Sequence, residues 1–175
     1  MTDEWRSGEQ MADELGRLIA VLRLLHEVLG AASMVADDPA LVCSLDERSM
    51  AHAQQAELLV DHLPRRDGVD RMALINLGPL DGLDDLLQRH VAQPALLLRA
   101  HQALVLPRLA RAVDRLSSHT SDAAERSLRR SLRFVAVDLS FEAVTWREAE
   151  ALPGPGPLSA FDEELAEVLL RGGFD

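Results

Sequence analysis

An all-α fold is predicted by three features of the 175-residue chain. Apolar residues make up 47% of it but aromatics only 3%, with no Tyr, so Leu, Ala and Val supply the apolar mass and favour helix over strand. Four long stretches carry apolar residues three and four positions apart, the spacing of one helix face. Pro, Gly and Asp mark the breaks between them. The expected architecture is a four-helix bundle with a short C-terminal helix, one domain over 1–175 with a core of its own.

The first helix should run from about Ser7 to Val35, with Met11, Leu15, Leu18, Leu22, Leu25 and Leu29 on one broad face and Asp13, Arg17, Arg23 and Glu27 outside it. Asp37-Asp38-Pro39 then punctuates the chain. Asp38 reads as the N-cap of a second helix and Pro39 as its first residue, where a missing N–H costs nothing. That helix gathers Leu41, Leu45, Ala56, Leu59 and Leu63 and stops at Pro64. From Pro64 to Gln93 the pattern lapses at Gly68, Gly78, Pro79 and Gly82, leaving a helical turn or two around Leu83 to Leu87. A third helix spans Pro94 to Ser118, with Leu98, Val105, Leu109, Ala112 and Leu116 toward the core and a kink expected at Pro107. Asp122 with Glu125 resembles a capping box and opens a fourth helix that continues to about Leu152. Pro153-Gly-Pro-Gly-Pro157 is a stiff linker. Ser159 and Asp162 cap a last helix to about 171, whose Phe161, Leu165, Val168 and Leu169 need a surface to dock on. Two tight hairpins separated by so long a connection imply a crossover between the second and third helices, in up-down-down-up order.

Charge and residue usage narrow the function classes. All 18 basic residues are Arg; without Lys, Schiff-base chemistry and a phosphate-loop lysine are excluded. A net charge of −11 argues against nucleic acid and anionic membranes as partners. The one basic cluster, Arg126, Arg129, Arg130 and Arg133, reads as a solvated helix face. Cys43 stands alone, which excludes an internal disulfide and fits a reducing compartment. Residues Met1 to Glu14 are polar and acidic, and no charge-free run approaches the ~20 residues that span a bilayer, so a cytoplasmic location is expected.

The row Leu128, Leu132, Val135, Leu139, Glu142, Trp146, Ala149 keeps helical spacing throughout but includes a carboxyl. An inward carboxyl is costly unless it is protonated, hydrogen-bonded or bound to a cation, so Glu142 is the foremost candidate. His52 falls inside the apolar arc of the second helix, and His26 at the edge of the first. On the third helix Gln102 falls on the core side and His101 at its margin. Glu27 and Glu57 fall outside. Counting from a turn near Asp37, His26 lies opposite Ser49 and one turn from His52, which predicts a His26–His52 pair, while His101 and Glu142 share a depth in the second hairpin. Glu142 and His52 are thus the candidate acid–base pair, with His26, His101, Gln102 and Trp146 as ligand contacts. No cofactor is demanded; a single divalent ion, if bound, would use His26, His52 and Glu142.

The segments Phe134-Val-Ala-Val-Asp138-Leu-Ser-Phe-Glu142-Ala-Val-Thr-Trp146-Arg-Glu-Ala-Glu150, Leu106-Pro107-Arg108-Leu109 and Met50-Ala-His52-Ala-Gln-Gln-Ala-Glu57 resemble ferritin-like proteins of high-GC bacteria. The resemblance covers roughly residues 11 to 152 and implies a ferritin-like bundle with a di-iron centre. Such centres take a Glu from two helices and Glu-x-x-His from the other two. This chain has no Glu-x-x-His, and no carboxylate lies between Pro94 and Val113, so the expected di-iron set is incomplete. Three readings follow: a bundle with a polar interior site for a small ligand, a metabolic enzyme working through Glu142 and His52, or an interaction protein. The last would form a homodimer through Phe134, Val137, Phe141 and Val144, which lie opposite the Leu128 row.

Overall fold

The computed structural model describes residues 8–65, 70–120, 125–148 and 160–174, with backbone alone in 142–148. Among these residues there is helix and no strand. The elements are α1 (Gly8–Val35), α2 (Pro39–Val60), α3 (Leu83–Gln88), α4 (Pro94–Ala100), α5 (Leu106–Ser118), α6 (Arg126–Glu148) and α7 (Ala160–Arg171). Short 3₁₀ turns form at Arg71–Leu74 and Gly78–Leu80, and a π-helical turn, His101–Val105, joins α4 to α5.

α1 and α2 share the most extensive pairing, followed by α5 and α6; α2 also touches α4 and α6. The α1–α2 turn forms as its residues dictate: the Asp38 carboxylate accepts from the Ala40 N–H at 3.0 Å, and Pro39 opens the helix. α1 is long and apolar enough to cross a bilayer by length and composition, and half of its most apolar window is buried inside the fold. Leu15, Leu18, Leu22, Leu25 and Leu29 join Leu45, Leu59, Leu98, Leu109, Leu132 and Val135 in one buried cluster.

The segment between α2 and α3 is held against α1 at Gly16. A Cβ there would stand 2.1 Å from the Leu74 carbonyl oxygen, so only a glycine permits this approach of the 3₁₀ turn. α7 docks on its own chain, against α3, the Gly78–Leu80 turn and the π-helical turn. Phe161 stacks on His90 with ring centroids 4.1 Å apart, and Leu165 and Leu169 are buried. Asp162, predicted as a cap, is buried and ion-pairs with Arg99 of α4. Asp122, Ala149, Leu152, the 153–157 linker and Ser159 lie outside the described residues.

The third helix spans Pro94–Ser118 as expected, through α4, the π-helical turn and α5. Its irregularity is a turn widened by one residue, in which the Leu106 N–H donates to the His101 carbonyl five residues back. Pro107 supplies the cause: it has no N–H for the Ala103 carbonyl, and its ring would press on that carbonyl in an α-helix. The Arg108 guanidinium covers the neighbouring Leu104 carbonyl at 3.1 Å.

Replacing Gly16 by Ala should cost about 1–3 kcal/mol in urea unfolding, because a backbone carbonyl must retreat. A loss below about 0.5 kcal/mol would contradict the close approach of the Arg71–Leu74 turn to α1.

Candidate functional site

His52 and His101 meet at the centre of the molecule. Their Nε2 atoms are 2.7 Å apart, the rings meet edge-on with centroids 5.0 Å apart, and the residues are 0% and 2% exposed. α2 supplies His52 from the row Leu45, Ser49, His52, Ala56, Leu59, all buried. The first residue of the π-helical turn supplies His101, on the row Leu98, His101, Val105, Leu109.

The hydrogen bonds set the tautomers. The His52 Nδ1–H donates to Gln55 Oε1 at 2.9 Å, which leaves a lone pair on its Nε2. His101 Nε2–H then donates to that lone pair. His101 Nδ1 has no hydrogen-bond partner among the described residues, and neither does the Gln102 amide nitrogen. Burial keeps both imidazoles neutral. It pushes His52 down to about 4 against an upward pull from the Gln55 bond, and the smaller effects of the Arg48 and His26 charges push the same way as burial. His101 is lowered well below its ordinary range, first by burial and then by the His52 and Arg48 charges. Arg48 itself is buried one turn before His52 and donates to the Ser44 carbonyl at 3.0 Å.

The predicted His26–His52 pair is not formed. His26 does lie opposite Ser49, as counting implied, and that is where its bonds go. Its Nδ1 is 2.8 Å from Ser49 Oγ and 3.0 Å from the Ser49 carbonyl, while Ser49 Oγ donates to the His26 carbonyl at 2.8 Å. His101 takes the place expected of His26. The margins assigned to His101 and Gln102 are also exchanged: His101 is buried and Gln102 half-buried. A wheel of constant pitch misplaces residues in a turn that holds one residue more. Glu27 and Glu57 are exposed, with Glu57 tied to Arg23 at 3.2 Å. Leu128, Leu132, Val135 and Leu139 are buried. Glu142 and Trp146 belong to α6, but their side chains lie outside the described residues.

Gln55 was missed by sequence reasoning, although its place three residues after His52 and four before Leu59 puts it on the same face. Elsewhere, a cleft of about 330 Å³ is lined by Glu14, Arg17, Arg115 and the Gly172–Phe174 end of the chain, away from the histidines. Among the described side chains, no group of three His, Cys, Asp or Glu converges. In comparisons with known proteins, the chain matches no family model, no curated protein and no solved structure.

The pair should make stability pH-dependent in chelator-treated protein. Below about pH 6.5 the unfolded chain takes up protons that folded His52 refuses, so stability is intact above that pH and falls toward pH 4, by about 3 kcal/mol for His52 alone. The double variant His52→Leu/His101→Leu should flatten the pH 6.5 to 4 slope in denaturant titrations; an unchanged slope would refute neutral burial.

Proposed function

We propose that this chain is a ferritin-like four-helix bundle that binds one divalent metal ion, Zn²⁺ or Fe²⁺, in its interior at His52 and His101, with Glu142 as the carboxylate donor. The observation that carries this reading is the pair of desolvated imidazoles facing each other through Nε2 at 2.7 Å, one of them oriented by Gln55 through its other nitrogen. Metal-bound histidines are neutral and hold their second nitrogen in just such a bond. Two imidazoles on a tetrahedral ion stand about 3.3 Å apart, so an opening of roughly half an ångström suffices.

The ferritin-like arrangement is supported by two contacts, which also favour a backbone level for Glu142 close to the pair. His62, in the turn just after α2, meets Ser131 of α6 at 2.9 Å, and His52 meets His101. Moving from His52 to His62 therefore runs from the level of His101 toward the α5–α6 turn, so α2 and α5 run the same way and α6 opposes them. Ten residues back along α2 from His62 corresponds to ten residues on from Ser131, near Phe141. From the α5–α6 turn, His101 and Glu142 are almost equally distant, as 17 residues separate His101 from Ser118 and 16 separate Arg126 from Glu142. A parallel second and third helix is what a long crossover produces.

The di-iron set of ferritin-like proteins does not fit these residues, because Glu27 and Glu57 face solvent and α4 and α5 lack a carboxylate until Asp114. A carboxylate is nonetheless needed, since two imidazoles alone do not offset the Arg48 charge that bears on both. Acid–base work fits the pair less well. Both imidazoles stay neutral through the physiological range, and each occupies the other's Nε2. An organic ligand would have to part the rings and open the core.

Elemental analysis and Zn²⁺ titration of the chelator-treated chain test the reading. One ion per chain is expected, with binding abolished in His52→Ala/His101→Ala and weakened about ten- to hundredfold in Gln55→Leu. Glu142→Gln should also lose the ion while keeping its helical circular dichroism. Absence of saturable binding, or binding unaltered in the double histidine variant, refutes the metal site.

A further inference from the structure

The outer face of α6 carries a row of its own. Phe134, Val137 and Phe141 are 54%, 65% and 68% exposed, and Val137 and Phe141 line a shallow apolar hollow with Ala136 and Ser140. Exposed aromatic rings grouped in this way mark an interaction surface. α7 does not cover it, being docked on α3, the Gly78–Leu80 turn and the π-helical turn. At the same spacing the row reaches back to Arg130, which is exposed and lies over the Phe134 ring at 5.8 Å. In sequence it continues to Val144 and Glu148.

This row, Arg130, Phe134, Val137, Phe141, Val144, Glu148, is complementary to itself when reversed. With a second α6 laid antiparallel and a two-fold axis at the level of Leu139, Arg130 faces Glu148 of the other copy, Phe134 faces Val144, and Val137 faces Phe141. All three pairings share one register, and each occurs twice. The row is apolar at its centre, oppositely charged at its two ends, and neutral overall, which lets two chains of net charge −11 approach there. We infer that α6 forms an isologous antiparallel homodimer through this row, with Arg130 of each copy paired to Glu148 of the other.

A parallel pairing would oppose like charges at both ends, and a foreign helix would have no reason to match the reversed register. The competing occupant is residues 149–159 of the same chain folded back over the row, which predicts a monomer. Analytical ultracentrifugation of the full chain at up to about 100 µM distinguishes them. A dimer is expected, weakened about a hundredfold by Val137→Glu. Arg130→Glu and Glu148→Arg should each weaken it about tenfold, since each change breaks two pairs, and the double swap should restore it. Should Val137→Glu fail to fold, Phe141→Ser reads the same face. A monomer throughout that range, a dimer indifferent to either apolar variant, or single swaps not rescued by the double swap overturns the inference.

Discussion

The contact between His52 and His101 depends on a turn that is not α-helical. In a continuous α-helix from Pro94 to Ser118, constant pitch would turn Gln102 inward and leave His101 at the margin. One extra residue in the turn before Pro107 reverses the two. The proline makes the wider turn favourable by removing a donor and a steric fit together. A single proline, six residues on from His101, thus decides which polar group enters the core.

Once His101 is inside, the rest of the arrangement follows from desolvation. A buried imidazole cation would be costly, so both rings are held neutral, and neutral rings can share one hydrogen bond between their Nε2 atoms. Gln55 satisfies the remaining nitrogen of His52, while His101 Nδ1 is left without a described partner. Leaving a buried polar atom in this condition costs about 1–3 kcal/mol. The packing around the pair offsets that cost: Leu45, Ala56, Leu59, Leu98, Val105 and Leu109 are all nearly inaccessible.

Much of the fold was legible because periodicity and caps are local properties. The Leu15 to Leu29 face, the Asp38-Pro39 start, the short turn at Leu83–Gln88 and the buried row Leu128 to Leu139 all appear where spacing implied. His52 was legible for the same reason. Its partner was not, because a widened turn changes the phase of every residue within it and composition carries no mark of that phase. Pro107 did announce an irregularity, but not its kind. Asp162 stands in the first turn of α7, where the cap signal put it, but its pairing with Arg99, 63 residues away, was not legible because only tertiary packing brings the two together. The outer row of α6 was visible as an apolar ridge, and the place of Arg130 in it appears only once its guanidinium is seen over the Phe134 ring.

The most direct measurement is long-range ¹H–¹⁵N NMR of the imidazole nitrogens, with and without one equivalent of Zn²⁺. Chelator-treated protein at pH 7 should show neutral His52 protonated on Nδ1 and neutral His101 protonated on Nε2. Zinc should move both Nε2 resonances to metal-bound positions and leave those of His26 unchanged. A cationic His52 or His101 at that pH, or Nε2 resonances indifferent to zinc, would contradict the proposed site.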